Sequence, residues 1–305
     1  MAPAPRGGPI VDLQDTDEMI FLLKAVSVSH GRARRLDAAS VSVSVLLAVC
    51  GLVATVVDRL AVPVTVMGAL WAIGYGAGLA RWTDGELVRA ATLQEMFDVR
   101  LFRLPWNVIV AGEPIGVAEV SWLAHRFRGR EADLYGYYEV PRLRSPYDVV
   151  ACQLQNLAWG ARVRGRYARV LLGAVGLWSV AGVVVGIVGG LTVTDTVLRW
   201  FVPSLGALLL AWDSFRTQRE VAGERQRVMA ILWDQVRRTV TGSGEVGALV
   251  ELTRQVQDAI LRTRRRNIRV PEWFFARFRE VDRRDFQAVV AELSRTVDRS
   301  AVASR

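Results

Sequence analysis

The sequence predicts an all-α, multi-pass membrane protein with two transmembrane helical hairpins and helical cytosolic segments. Three observations predict it: apolar runs as long as a bilayer is thick, arginines gathered at the ends of those runs, and helical spacing of apolar residues elsewhere. Of 305 residues, 51% are hydrophobic and 23% charged, and the formal charge is +9. Mean hydropathy is nevertheless positive, so apolar and charged residues must be segregated along the chain. The basic residues are almost all arginine, Lys24 being the one lysine, a compositional bias with no chemistry of its own. Cys50 in an apolar run and Cys152 in a charged one argue against a disulfide framework. The opening MAPAPRGGPIVDLQDTDEM lacks the basic start and apolar stretch of a cleavable signal.

Residues 1–37 read as a cytosolic arm and helix. The first fifteen are loose and polar; Asp17 to Leu36 is helical, with Ile20, Leu23 and Val26 on one face and Arg32, Arg34 and Arg35 at its basic end. Residues 38–80 form the first hairpin. Ala38 to Val57 is uncharged, Asp58 and Arg59 make a tight turn, and Leu60 to Ala80 returns. Pro63 lies near the start of that second run, where a missing N–H costs least. Its GYGAG (Gly74 to Gly78) follows no strand, so close helix packing is the reading rather than a phosphate loop. Arg81 and Trp82 then sit where interfacial anchors belong.

Residues 81–167 form the central cytosolic segment. Gly85 to Phe102 has helical spacing through Leu87, Ala91, Leu93, Phe97 and Leu101. A Gly/Pro-punctuated stretch follows to Pro146, and a helix starting at Tyr147 runs into the next span past Arg162, Arg164, Arg166 and Arg169. Residues 168–212 form the second hairpin. ARVLLGAVGLWSVAGVVVGIVGGL, Ala168 to Leu191, has no polar side and carries one arginine near its start. At about 1.5 Å per residue it crosses a hydrocarbon layer of roughly 30 Å. Val197 to Trp212 is the weakest span, because Arg199 lies within it and Pro203 interrupts it. Starting that helix at Thr192 or Thr194 lengthens it and lets Arg199 snorkel; a re-entrant or surface-lying course is the alternative. Residues 213–305 form a C-terminal cytosolic helical region: Phe215 to Val240, Glu245 to Arg266, and a last helix near Asp285 to Val297.

Orientation follows from the arginines. Arg34, Arg35, Arg81, Arg89, Arg164, Arg166, Arg169, Arg216 and Arg219 flank the spans on one side, against Arg59 and Arg199 on the other. The positive-inside rule places both termini and the central segment in the cytoplasm of the bacterial inner membrane.

Catalytic sets are missing from this reading. His30 and His125 have no ligand partners at metal spacing, no serine sits in a nucleophile elbow, and there is no Walker loop. Glu95 and Asp98 share a helical face, where pairing with Arg100 and Arg103 on a solvated surface is the plain account. No ionisable group sits at mid-depth, which argues against coupled transport. Gly182, Gly186 and Gly190 lie four apart and allow another helix to approach, within the chain or from a second copy. Arg262, Arg264, Arg265 and Arg266 precede Trp273, Phe274 and Phe275. That pattern suits stacking on nucleic acid, but in a membrane-tethered chain contact with the anionic leaflet or an intersubunit ion pair is preferred. No cofactor and no nucleic-acid polymer are expected.

Three stretches together resemble the SMODS-associated four-transmembrane effector family, pore-forming proteins encoded beside cyclic-oligonucleotide synthases in bacterial anti-phage (CBASS-type) operons. LQEMFDVRLFRLPWN carries Gln94, Glu95, Phe97 and Asp98, followed by Trp106 and Asn107. CQLQNLAWGARVRGRYA carries Cys152, Gln153, Asn156, Trp159 and Arg162. VPEWFF carries Pro271, Trp273 and Phe274. Leu154, Gly160 and Phe275 depart from the family pattern, which has arginine, aspartate and tyrosine there. The resemblance implies a cytosolic sensor, responding to a cyclic oligonucleotide or a nucleotidyltransferase-linked signal, and spans that self-associate and breach the bilayer. The residues themselves lead only to four spans, a sensor-sized cytosolic portion, and motif positions that pack two cytosolic helices together. A passive anchor recruiting a cytosolic partner is the alternative, and a small transporter a more distant one.

Overall fold

A computed structural model describes residues 9–75, 80–266 and 270–303, and all regular structure among them is helical. The first eight residues of the arm and Gly76 and Gly78 of the GYGAG stretch lie outside the described residues, as does the Arg81 side chain. The helices are α1 Ile10–Leu13, α2 Asp17–Ala54, α3 Asp58–Gly74, α4 Ala80–Phe102, α5 Val108–Ala111, α6 Val117–Ala124, α7 Tyr147–Val188, α8 Val193–Thr196, α9 Val202–Val240, α10 Val246–Arg265 and α11 Glu272–Ala303. The chain divides into two compact units.

The first unit comprises Met1–Gly31, Leu87–Arg164 and Val221–Arg305. One apolar core runs through it, from Ile20 and Leu23 of α2 through Phe97 of α4, Leu154 and Leu157 of α7, Leu232 of α9 and Ile260 of α10 to Phe286 and Leu293 of α11. Each contributes residues at the helical three-and-four spacing, so each buries one stripe. Residues 9–15 are not a loose arm: Ile10 is buried, and Gln14 exchanges two hydrogen bonds with the Tyr138 backbone, at 3.2 and 2.8 Å. The last helix begins well before Asp285, directly after Pro271, whose carbonyl accepts from the Phe274 and Phe275 N–H groups at 3.0 Å.

The second unit comprises Arg32–Glu86 and Gly165–Glu220. Its surface is apolar: Leu177, Ile187 and Val188 of α7 are 73%, 75% and 82% exposed. Such side chains belong in lipid rather than water. Three helices are long and apolar enough to cross a bilayer: α2, α7 and the helical run Val193–Val240. The 17 residues of α3 are fewer, and at about 1.5 Å each they extend about 25 Å. The fourth run begins as the sequence suggests, with the Thr192 hydroxyl accepting from the Asp195 N–H at 3.1 Å. Upstream of Pro203 the helix widens into a π-helical turn, Val197–Phe201, which relieves the crowding that proline imposes on the preceding carbonyl. Arg199 stays within that turn, its Nε 3.6 Å from Asp195.

Lipid tails are as apolar as leucine, so helices in this unit must be held by close packing and hydrogen bonds. Pro203 fits against two glycines: a Cβ added at Gly51 would lie 2.7 Å from its Cβ, and one at Gly68 would lie 2.5 Å from its Cα. Gly206 faces the Trp71 ring, whose Nε1 donates to the Ser44 hydroxyl at 2.8 Å. Thr65 donates its hydroxyl to the Leu198 carbonyl at 2.7 Å. Of the three spaced glycines, Gly182 and Gly186 receive neighbours, Trp200 and Thr196, each 2.5 Å from where a Cβ would stand. Gly190 does not. It takes φ +65° with nothing nearby, so it serves to end α7 in the left-handed conformation glycine tolerates.

Candidate functional site

The site forms around α4, whose residues 90–99 are all buried. A helix enclosed on every side has to bury its polar residues too, and Glu95 and Asp98 are both 0% exposed. The surface pairing with Arg100 and Arg103 is therefore corrected: Arg100 turns outward to Glu18 at 2.9 Å, while the carboxylates point inward. Their cations come from α10. Arg264 Nη1 lies 2.6 Å from Asp98 Oδ2 and Arg254 Nη2 2.8 Å from Glu95 Oε1. Between them Gln257 donates to Glu95 Oε2 at 2.7 Å and to Asp98 Oδ2 at 3.1 Å.

The second motif, on α7, completes the network. Asn156 accepts from Arg264 Nη2 at 2.9 Å and donates to the Tyr138 hydroxyl at 2.7 Å. Tyr138 in turn donates to Asp98 Oδ1 at 2.6 Å. Gln153 donates to the Thr253 carbonyl of α10 at 2.7 Å. Cys152 is fully buried in apolar surroundings, and burial pushes its thiol well above the usual range. Gln94 donates its amide nitrogen to the Tyr137 hydroxyl, and its Oε1 accepts from Nε2 of the buried His30 at 3.4 Å. Trp159 stacks on Phe275 and Phe286, with centroids 6.4 and 6.3 Å away. Arg162 pairs with Asp285 of α11.

The loop between α4 and α6 is fastened to α10. Asn107 caps α5 by accepting from the Val110 N–H at 3.4 Å and donates to Asp258 at 2.8 Å. Asp258 also pairs with Arg254 at 2.5 Å, and Arg254 reaches the Pro105 carbonyl at 3.0 Å. Arg265 donates to the carbonyls of Val110, at 2.6 Å, and Ala111. Trp106 donates to the Gly112 carbonyl at 2.9 Å. So the arginine run is not a leaflet contact throughout: Arg264 and Arg265 point into the protein, and only Arg262 and Arg266 are exposed. Phe274 is likewise buried and Phe275 is stacked on Trp159, leaving Trp273, 70% exposed, as the aromatic of that trio on the surface.

The departures from the family pattern are accommodated. Leu154 sits at 0% exposure in the apolar core. A Cβ at Gly160 would run into the Arg225 guanidinium, which donates to the Asn156 carbonyl at 2.7 Å. Phe275 needs no hydroxyl to stack.

Electrostatics follow from burial. Desolvation opposes the Arg264 charge, yet Asp98 and the neighbouring tyrosines hold its pKa above the ordinary arginine range. Burial raises the Glu95 carboxyl above its usual 4.5 despite hydrogen bonds from Arg254 and Gln257. The sign is definite. A carboxyl raised in the folded state contributes stability below its unfolded pKa and loses it as pH rises through the folded one. Unfolding free energy is therefore expected to fall from pH 4.5 upward relative to Glu95→Gln, measured by denaturation of both proteins over that range. Parallel pH profiles would remove this account of Glu95.

Sequence reading missed Arg254, Gln257, Asp258 and Tyr138. The signal was present: Arg254, Gln257 and Asp258 fall three and one apart and Arg264 lies seven beyond Gln257, polar residues at helical spacing among apolar neighbours on the most amphipathic-looking helix. Among the described residues no three His, Cys, Asp or Glu side chains cluster as metal ligands.

Comparison with known proteins bears on what this arrangement belongs to. A probable CBASS effector molecule of Bacillus cereus (strain VD146) is 23% identical over 276 residues, covering 87% of this chain and 92% of its own. No solved structure matches. The family described as the SMODS-associating 4TM effector domain matches residues 8–293, which include all three motifs, the long apolar helices and the buried ionic network. The chain belongs to the SMODS-associating four-transmembrane effector family.

Proposed function

We propose that this chain is a membrane-embedded effector of bacterial anti-phage defence, acting without catalysis. When a cyclic-oligonucleotide signal, or a partner linked to a nucleotidyltransferase, reaches the cytosolic unit, copies associate and permeabilise the inner membrane, with both termini cytoplasmic. Infected cells then arrest or die before phage is released. The observation that carries this reading is the match to an effector family across residues 8–293. The CBASS designation of the Bacillus cereus relative supports it. So do spans free of ionisable groups at mid-depth, which suit a passive breach better than coupled transport. The motif residues act by packing: α4 carries Gln94, Glu95, Phe97 and Asp98, α7 carries Cys152 to Arg162, and both helices continue in sequence into the membrane stretches, so a change at the ionic core tilts the spans.

The test is inducible expression with and without an activated nucleotide synthase, following propidium uptake and membrane potential. Uptake is expected only with the active synthase. Unchanged permeability with protein correctly inserted would overturn the proposal. One observation favours a passive anchor instead: Gly182 and Gly186 are occupied by neighbours from the same chain. On that reading leucine at both positions leaves partner recruitment intact.

A further inference from the structure

A second face of α4 lines a cavity. Met96, Val99, Arg100 and Arg103 follow the spacing of one helical stripe, and with Met19 and Trp106 they border a space of about 590 Å³ in the first unit. We propose that this cavity is where the activating signal binds, and that its ligand is a cyclic phosphodiester nucleotide. Its bases lie against Trp106 and the methionines, and its phosphates meet Arg100 and Arg103. The inference rests on the effector reading above, which supplies the ligand class, and adds to it the place of recognition and the residues that meet the ligand.

Size and lining agree with that ligand. Small-molecule sites are typically about 300–1,000 Å³, mostly apolar, with a few placed polar groups. Methionine adapts to flat rings, and guanidinium matches the geometry of phosphate oxygens. Glu18 also borders the cavity and holds Arg100 at 2.9 Å, so an incoming phosphate competes with a carboxylate for that cation.

Arg103 supplies an independent argument. It ends α4 at φ +56°, and the next residue closes the helix with Leu104 N–H donating to the Val99 carbonyl at 3.0 Å. That position ordinarily takes glycine, because a side chain is strained there. Arg103 thus places a guanidinium at the mouth of the cavity, within electrostatic reach of Asp148, so that a phosphate there competes with a carboxylate as it does at Arg100. The opposite wall of the cavity, the stretch from Leu104 to Val117, is the loop that Arg254, Asp258 and Arg265 fasten to α10. A ligand that shifts this wall thereby pulls on the residues that hold Glu95.

The experiment uses the full chain in lipid nanodiscs, titrated calorimetrically with cyclic diadenylate, cyclic diguanylate and cyclic triadenylate. At least one is expected to bind the unaltered protein. Arg103→Gly and Arg100→Gln should each weaken it by about tenfold or more, the loss of a charge-assisted contact, and Glu18→Gln should tighten it. Arg103→Gly relieves backbone strain, so its melting temperature should hold or rise, which separates lost binding from lost folding. Undiminished binding by Arg100→Gln and Arg103→Gly overturns the site. If the unaltered protein binds none of the three yet the synthase still triggers propidium uptake, direct recognition here is overturned and the effector reading stands. If neither is seen, both fall.

Discussion

Asp98→Ala is expected to lower the unfolding free energy by about 3–5 kcal/mol, the cost of leaving one member of a buried ion pair without its partner. The Arg264 side chain is 7% exposed, too little for water to replace the lost carboxylate. Tyr138 and Gln257 lose an acceptor at the same time. Removing both charges tells a different story: Asp98→Leu combined with Arg264→Met should recover at least half of the loss, because apolar isosteres avoid the desolvation penalty altogether. Urea unfolding of detergent-solubilised protein, followed by tryptophan fluorescence, measures both variants. A single-variant loss under about 1 kcal/mol would mean that solvent reaches Arg264. The double variant also separates stability from signalling, since a core that folds without its charges but no longer triggers permeability is needed for more than packing.

The second large effect lies in the membrane unit. Gly68→Leu is expected to reduce synthase-dependent propidium uptake to background, with destabilisation of about 1–3 kcal/mol or more from overpacking. The added carbon would lie 2.5 Å from the Pro203 Cα and 3.0 Å from the Val202 carbonyl oxygen. Both are backbone atoms, and neither can rotate aside. Gly182→Leu meets only the Trp200 ring, a side chain with some freedom, so its effect should be smaller. Gly176, with nothing within 4 Å, is the control. Gly176→Leu should leave uptake unchanged if packing is internal to one chain, and loss there would place a second chain against α7. Membrane-fraction blots establish that each variant inserts. Full uptake by Gly68→Leu would sink the view that Pro203 is a fixed contact.

Much of the fold was legible because membrane spans and amphipathic helices announce themselves by length and period. The runs starting at Ala38 and Ala168, the helix from Tyr147 and the helix ending near Arg266 needed nothing beyond hydropathy and spacing. The central site was harder, for a physical reason. Glu95 and Asp98 look like any solvated pair when only their own helix is considered, and the residues that bury them lie some 160 positions away on α10. A charge run such as Arg262 to Arg266 likewise splits between inside and outside according to helical phase, which sequence gives, and according to neighbours, which it does not. Gly190 was mistaken for a packing glycine because spacing of four cannot distinguish the last turn of a helix from the residue that ends it. The arm failed for want of a partner in view: Gln14 is explained only by Tyr138.

The hydroxyl of Thr65 on the Leu198 carbonyl has a consequence for how α3 could ever part from the π-helical turn. In hydrocarbon their separation forfeits little hydrophobic energy, since lipid takes the place of each departing side chain. What it does forfeit is the acceptor's companion at a widened turn, and a bare carbonyl in oil costs several kcal/mol. The seam is thus fastened by this polar contact as well as by the seating of Pro203 on Gly51 and Gly68, and parting it would cost both.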